Sequence, residues 1–259
     1  MDFFPVASAS LRTGRQILQT DFASTNEGAT VAARISPASE RHPPKNSLES
    51  GIFFAMMKLY TLERRNDMAY TAKDYNKLIG MEGFSETLLK NHFTLYQGYV
   101  TNTNKVLDSL SEMAKGGKIG TPEYAELKRR CGWEFNGMRL HELYFENLGG
   151  KGALNKSGKL GKKLAEEFGS YENWEADFKG VGTMRGIGWA ILYLDVAGGK
   201  LINQWINEHD VGHPAGCNPL LIMDVFEHAF MTDYGLKRAD YITAFFKNIN
   251  WEAVEGRLK

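Results

Sequence analysis

A carboxylate and an imidazole lie four residues apart inside an apolar stretch near the C-terminal end of the chain. Asp224 and His228 enclose residues 225–227, with apolar residues 220–223 before them and 229–230 after them. Burying an unpaired charge is costly, so both groups need a strong partner. A metal ion is one such partner, and one helical turn or a strand-to-helix junction would aim both side chains at it. The bland alternative is a capping aspartate beside a half-buried histidine.

Composition restricts the classes of function. The chain has 259 residues, with 31 basic and 31 acidic side chains. The length predicts one or two domains with a real core. The charge balance argues against a dedicated nucleic-acid binder. No apolar run reaches the roughly 18 residues needed to cross a bilayer, so no membrane partner is expected. Cys131 and Cys217 are too few for a disulfide framework, which favours a reducing compartment, and we expect the cytoplasm.

Residues 1–67 differ in composition from the rest. They are rich in Ser, Thr, Ala and Pro, and His42-Pro43-Pro44 blocks regular structure. Acidic residues balance the arginines, and no positive start precedes an apolar segment, so neither a transit peptide nor a signal peptide is expected. We predict a disordered extension, with the folded part beginning at Met68.

Two long helices are predicted between residues 85 and 150. Ser85 is placed to cap the first, and Pro122 begins the second after a break at 116–118. Side chains repeat every three or four residues, which predicts one buried face per helix. These faces are Leu88, His92, Leu95, Tyr96, Tyr99 and Thr103 on the first helix, and Trp133, Gly137, Met138, His141, Tyr144, Phe145 and Leu148 on the second. Residues 68–150 are therefore predicted to form an N-terminal helical hairpin domain, with His92 and His141 on its inner face.

The second half alternates between helices and strands. The predicted helices are 158–168, 173–180, 239–248 and 251–258, and one more carries His228 onward; the predicted strands are 189–195, 201–207 and 220–224. Residues 151–259 are therefore predicted to form a C-terminal α/β domain, with a small three-stranded antiparallel sheet covered by helices. The fold class is α+β.

Three of the six histidines lie in apolar stretches. A single histidine of this kind is more often an ordinary core residue than a ligand. His92, His141 and His228 together with Asp224 nevertheless make a set of three nitrogens and one oxygen. That mixture suits zinc, iron or manganese. Spacing alone does not separate redox from hydrolytic use of the metal.

Several spaced motifs resemble the iron/manganese superoxide dismutase family. Residues 224–230, Asp-Val-Phe-Glu-His-Ala-Phe, are similar to the family's D-V-W-E-H-A-Y signature. Residues 186–190 resemble its G-S-G-W segment, and residues 99–104 resemble its first-helix Y-V-T-N-x-N. The match continues in order through Asp233-Tyr234, Arg238, Asp240-Tyr241 and Asn250-Trp251-Glu252. The resemblance covers about residues 70–259.

The resemblance implies that His92, His141, Asp224 and His228 bind one iron or manganese ion, with a solvent molecule as fifth ligand. His92 lies one residue closer to Tyr99 than the family's first ligand does, and without a gap that ligand position falls on Asn91. His92 is preferred, because seven residues of a regular helix return to nearly the same face. The family spacing would need a local bulge, which a one-residue deletion would remove.

The resemblance also implies roles around the metal. The family's donor to the bound solvent is usually a glutamine at one of two places, which correspond here to Gly137, which cannot donate, and His209. His209 is therefore assigned to that hydrogen bond, which favours iron or a site that accepts either metal. Tyr99 corresponds to the active-site tyrosine that gates the channel and helps to deliver protons. Trp189 and Tyr144 are assigned to the aromatic wall.

Glu227 is implied to reach across a homodimer, or a higher homo-oligomer, to the equivalent of His228 in the neighbouring subunit. Some family features are missing. The signature tryptophan is Phe226, and the family's bridging histidine on the first helix and its tyrosine dimer partner are replaced, the latter by Phe230. Because both members of one cross-subunit hydrogen bond are lost, no buried partner is orphaned.

The expected function is conversion of superoxide anion, the substrate, to oxygen and hydrogen peroxide by one-electron cycling of the metal. Two alternatives remain open at this point. The first is a catalytically inactive member of the fold that serves as a scaffold or assembly protein; its mark would be lost ligands. The second is hydrolytic use of the metal, for which Tyr99 and His209 alone offer an acid or base beside the site.

Overall fold

The computed structural model describes residues 69–259. The predicted extension at residues 1–67 lies outside the described residues, so its disorder stays a prediction. Between residues 69 and 259, none of the helices combines the length and apolar character that crossing a bilayer requires.

Two long antiparallel helices form the first half. After a short 3₁₀ turn at Asn76–Leu78, helix α1 spans Glu86–Lys115 and helix α2 spans Pro122–Glu146. The Ser85 hydroxyl accepts the N–H of Leu88 at 3.1 Å, which confirms the predicted cap. Both predicted helices are confirmed.

One predicted member of the buried face of α1 is wrong. Leu95 is 36% exposed, whereas His92 and Tyr96 are 1% exposed. The buried positions of α1 step through 92, 96, 100 and 103, so Leu95 falls at the edge of the buried stripe. Steps of three and of four residues both stay on one helix face. After His92 the buried stripe takes a step of four, to Tyr96, and so leaves out Leu95.

The second half places helices around a three-stranded sheet. Its elements are α3 (Lys159–Phe168), α4 (Tyr171–Thr183), β1 (Gly188–Asp195), β2 (Leu201–Asn207), β3 (Cys217–Asp224), α5 (Met231–Tyr234), α6 (Arg238–Lys247) and α7 (Trp251–Gly256). The strand order is β2-β1-β3, and both pairings are antiparallel. This confirms the predicted α+β class and the sheet. The predicted domain boundary at residue 150 stays a prediction.

The predicted helix at His228 is wrong. His228 lies in a 3₁₀ turn at Glu227–Ala229. Asp224 ends β3, and its Oδ1 accepts the N–H of Phe226 at 2.9 Å. Phe226 itself is extended, with φ −68° and ψ 155°. The aspartate side chain therefore holds the backbone in a local turn that competes with the helix, and α5 begins only at Met231.

One hydrophobic core contains residues from both halves of the described chain. Trp174, Trp189 and Phe245 from the second half pack in the same cluster as Met138 and Phe145 from α2. Trp189 in the central strand β1 pairs directly with Asp224 in β3. The sheet therefore presents the end of β3 to the inner face of the hairpin, where His92 and His141 lie.

Candidate metal centre

Four side chains from four elements converge at one buried point. His92 comes from α1, His141 from α2, Asp224 from the end of β3 and His228 from the 3₁₀ turn, and one ligand atom of each lies within 4.8 Å of the others. Asp224 Oδ2 is 3.2 Å from His92 Nε2, 3.6 Å from His141 Nε2 and 3.1 Å from His228 Nε2. Three of the four residues are buried, and the His228 side chain is 26% exposed.

Helix α1 presents His92 to this cluster and turns Asn91 outward. His92 is 1% exposed and Asn91 is exposed. The helix is assigned as α-helix without interruption from Glu86 to Lys115, so His92 and Tyr99 share a face two turns apart. The helix needs no bulge to bring both residues to one site.

Two of the histidines and the aspartate have the protonation states that a cation requires. Burial lowers the pKa of His92 and takes that of His141 well below its usual value. Burial alone would raise the pKa of Asp224, but the neighbouring His228 and His92 rings hold it well below its usual range. A metal is bound by neutral imidazoles and an ionised carboxylate.

Within the described residues, the buried His141 Nε2 has no hydrogen-bond partner. Its other ring nitrogen, Nδ1, lies 2.5 Å from the Gly137 carbonyl oxygen, to which it donates its hydrogen. Nε2 therefore carries a lone pair that faces Asp224. Leaving a buried acceptor unsatisfied is costly, and a cation among three imidazole nitrogens and one carboxylate oxygen satisfies it. These residues fit one iron, manganese or zinc ion.

His209 links Trp189 to Tyr99 beside the cluster. The Trp189 indole N–H donates to His209 Nδ1 at 3.1 Å, and His209 Nε2 lies 2.7 Å from the Tyr99 hydroxyl oxygen. Burial lowers the pKa of His209 to about 4, so the ring is neutral near pH 7. Because an indole can only donate, the single hydrogen of His209 is on Nε2 and is donated to Tyr99. Both ring nitrogens of His209 thus have protein partners in the structure. The predicted bond from His209 to a solvent ligand of the metal stays a prediction.

Gly137 gives Tyr99 its place. A Cβ atom at position 137 would lie 2.5 Å from Cδ1 of the Tyr99 ring, which stacks on the His141 ring with centroids 5.1 Å apart. Burial raises the pKa of Tyr99 well above its usual value, so its hydroxyl stays protonated. Gly137 is therefore a position where the tyrosine ring takes the space of a side chain.

Aromatic side chains enclose the cluster. The Trp189 and His141 ring centroids are 5.0 Å apart, and those of Tyr144 and His92 are 5.2 Å apart. Phe226 stacks on both His228, at 5.2 Å, and His209, at 4.8 Å. The two residues predicted for the aromatic wall are thus next to the cluster, and Phe226 adds a third ring.

For several neighbours of the cluster, the sequence predicts no role at the site. The Tyr241 hydroxyl donates to the Asp224 carbonyl oxygen at 2.7 Å and lies 3.1 Å from the Tyr144 hydroxyl. Trp133 packs against Tyr99 and His209, with centroids 5.5 and 4.6 Å away. Trp133, Gly137 and His141 follow one another at intervals of four residues on α2. This spacing is the sequence signal that places Trp133 on the same helix face as the candidate ligand His141.

Comparison with known proteins places the chain in a family. The profile of the iron/manganese superoxide dismutase C-terminal domain matches residues 156–257. A "Superoxide dismutase [Fe]" of Aquifex pyrophilus is 39% identical over 194 residues, which cover 72% of this chain and 90% of that protein. A "Superoxide dismutase [Mn] 2" of Haloferax volcanii is 34% identical over 172 residues, 66% of this chain and 85% of the relative.

The chain belongs to the iron/manganese superoxide dismutase family. A similar relative, a "Superoxide dismutase [Fe]" of Aquifex aeolicus, is 38% identical over the same share of both chains. Membership confirms the resemblance seen in the sequence motifs, and relatives named for both metals fit the one-ion site.

The remaining predicted residue, Glu227, lies at the surface beside the site. Its side chain is exposed, and it precedes the partly exposed His228 in the 3₁₀ turn. Its contact with the His228 of a neighbouring subunit stays a prediction.

Proposed function

We propose that this superoxide dismutase family member converts two superoxide anions and two protons into oxygen and hydrogen peroxide. The observation that carries the proposal is the unsatisfied, buried His141 Nε2, which faces Asp224 among three imidazoles. The complete set of candidate ligands argues against a scaffold role, whose mark would be lost ligands.

We propose that His92, His141, Asp224 and His228 hold one iron or manganese ion. When bound, that ion supplies one-electron transfer in both directions, which oxidises one superoxide and reduces another. The four residues contribute one carboxylate oxygen and three imidazole nitrogens, and three of the four are buried. The rings of Phe226, Trp189 and Tyr144 cover the pocket on several sides, so that only small molecules reach it.

In this proposal Tyr99 donates one of the two protons that the reduced substrate takes up, and solvent supplies the other and restores the tyrosine proton. Because His209 donates its Nε2 hydrogen to Tyr99, the hydroxyl hydrogen of Tyr99 is directed elsewhere and is free to be donated. Trp189 fixes the orientation of the His209 ring from the other side. Tyr99 and His209 are thus the proposed catalytic residues, and Trp189 orients them.

Iron, or a site that accepts either metal, is the proposed preference. It is supported by His209 and Gly137 at the two places where the family usually has a glutamine donor. At the second of these places the structure has an imidazole that is hydrogen-bonded to Tyr99, and the residues that surround a metal site tune its reduction potential.

Metal reconstitution tests the function. Protein loaded with iron or manganese is expected to bind about one ion per subunit and to remove superoxide, with iron at least as active as manganese. Chelation should abolish activity, and zinc-loaded protein should be inactive because zinc has no redox chemistry. Metal content is measured by mass spectrometry and activity by superoxide decay. Protein that binds iron and manganese but stays as inactive as its zinc form would contradict the proposal.

A homodimer is proposed, with Glu227 reaching the partner subunit. The surface around Glu227 supports it, because a cleft lined by Glu227 and Arg238 is also lined by exposed apolar side chains. Met231 is 43% exposed and Leu236 is 90% exposed. Exposed apolar patches with polar rims are typical of protein interfaces.

Replacing Leu236 by glutamate is expected to convert the dimer into a monomer, because it places a charge in the apolar patch. Light scattering should give twice the chain mass for the wild type and the chain mass for Leu236→Glu. Ile119→Glu is the matched control. Ile119 is also apolar and 66% exposed, but it lies in the loop that connects α1 to α2. A wild-type monomer, or equal masses for both variants, would exclude this interface.

The cytoplasm is the proposed compartment. It is supported by Cys131 and Cys217, which are both free thiols in the described part of the chain. Fractionation of cells that produce the full chain tests the proposal, and recovery outside the cytoplasmic fraction would contradict it.

A further inference from the structure

Glu208 has an unusual backbone conformation next to His209. Its φ is 51°, and it is the only non-glycine residue with a positive φ among residues 69–259. A side chain with a Cβ is disfavoured in this left-handed region, where glycine and asparagine are much more common. Strain of this kind persists where the side chain has a role, so its contacts are informative.

The Glu208 side chain holds Trp133. The indole N–H of Trp133 donates to Glu208 Oε2 at 3.0 Å, which ties α2 to the turn after β2. On the same indole ring lies the guanidinium of Arg130, 3.9 Å from the ring centroid, and Arg130 Nε donates to Glu134 Oε1 at 2.8 Å. Trp133 is therefore fixed both at its N–H and on its face.

Trp133 in turn covers His209 and Tyr99. Its ring centroid is 4.6 Å from that of His209 and 5.5 Å from that of Tyr99. His209 is 0% exposed although its neighbours Glu208 and Asp210 are exposed. A buried imidazole within an exposed turn needs cover from elsewhere in the fold, and Trp133 supplies part of it.

The turn itself is held by other contacts. Asn207 and Val211 exchange two backbone hydrogen bonds, of 2.9 and 3.3 Å. The His213 ring lies 2.8 Å from the His209 carbonyl oxygen through Nε2 and 2.7 Å from the Tyr193 hydroxyl through Nδ1. The backbone path of the turn therefore does not depend on the contact between Glu208 and Trp133.

The geometry points to Glu208 and Trp133 as positioning residues for the reaction: their hydrogen bond clamps an indole over the His209–Tyr99 pair and keeps that pair aligned. The inference rests on the proposed catalytic role of His209 and Tyr99. It explains why glutamate occupies a position where glycine or asparagine has less strain. An aspartate or asparagine side chain is one methylene too short to replace the bond to Trp133.

Two substitutions of Glu208 separate the strain from the hydrogen bond. Glu208→Asn suits the left-handed backbone but does not reach Trp133, whereas Glu208→Gln keeps both the strain and an acceptor oxygen at the same distance. Both remove the same negative charge, so any effect of charge on attraction of the anionic substrate is matched. Trp133→Phe removes the indole N–H and keeps an aromatic ring.

For the metal-loaded protein we expect Glu208→Asn to lower kcat at least about fivefold, because misplacing catalytic groups is costly, with a smaller change in KM. Its melting temperature should stay within about 3 °C of the wild type, since strain relief offsets the lost bond. Glu208→Gln should keep kcat within about twofold. Trp133→Phe should lower kcat as Glu208→Asn does, and the double variant should add little, because both single changes remove one interaction.

Equal kcat values for Glu208→Asn and the wild type would overturn the inference, and so would a loss in Glu208→Gln as large as in Glu208→Asn. The first result would mean that the bond does not position the pair, and the second that charge is what matters. These outcomes are read only against an active wild type. An inactive metal-loaded wild type would instead contradict the proposed function.

Discussion

Replacing Asp224 by alanine is expected to abolish metal binding and to lower superoxide dismutation more than a hundredfold. Asp224 is the one carboxylate of the ligand cluster, and its Oδ2 faces all three histidines. Loss of groups that merely support ligands already costs about 10- to 100-fold in metal affinity or activity, so loss of the charged ligand costs more. Metal content and superoxide decay measure the effect.

Asp224→Ala also has a structural cost, because Asp224 Oδ1 accepts the Phe226 N–H. Leaving that buried donor unpaired costs about 1–3 kcal/mol. Asp224→Asn is the matched control, since its side-chain oxygen accepts the same N–H without providing the negative charge. It should therefore fold better than Asp224→Ala and still fail to retain metal.

Metal should also raise the melting temperature of the wild type, because a ligand that binds only the folded state stabilises it by mass action. The melting temperature of Asp224→Asn should not respond to added iron or manganese. Full metal content and activity in Asp224→Ala would rule out the proposed ligand set.

Replacing Gly137 by alanine is expected to lower activity at least about tenfold, because displaced catalytic groups lose their alignment. The new Cβ would lie 2.5 Å from Tyr99 Cδ1. The Tyr99 ring cannot simply step aside, because it packs between Trp133 and His141. It would have to leave its 2.7 Å contact with His209. Overpacking of this kind also costs about 1–3 kcal/mol of stability.

Gly132→Ala is the matched control for Gly137→Ala. Gly132 lies on the same helix, and a Cβ there would meet nothing within 4 Å. Alanine is the better helix former by about 1 kcal/mol, so this variant should be more stable and fully active. Thermal unfolding and superoxide decay distinguish the two. If Gly137→Ala keeps wild-type activity and stability, the Tyr99 ring does not need the space at position 137.

Local signals in the sequence predicted most of the fold. Ser85 marks the start of α1, and the apolar run before Asp195 marks β1, because capping and strand patterns depend on neighbouring residues. The 3₁₀ turn at His228 was not predicted, since it depends on the Asp224 side chain bonding to the backbone. The exposure of Leu95 depends on which part of α1 faces α2 and the 3₁₀ turn, and helical spacing does not determine that.

The candidate ligands could be named from the sequence, but their surroundings could not. His92 and Asp224 are 132 positions apart, and the apolar setting of each, together with the family motifs, marked them. Motif matching singled out His209, yet its partners Tyr99 and Trp189 come from a helix and a strand that sequence spacing does not relate to each other. Glu208 has no sequence signal, because its strained backbone and its bond to Trp133 exist only in the folded chain.

The four candidate ligands also differ in how early the chain can bring them together. Asp224 and His228 are neighbours across one turn, whereas His92 and His141 lie on a separate hairpin that must dock against the sheet. In the folded chain three of the four candidate ligands are buried, and the fourth, His228, has a side chain that is 26% exposed. Complete coordination of an ion therefore depends on the docking of the hairpin against the sheet, because Asp224 and His228 by themselves supply two of the four ligand atoms.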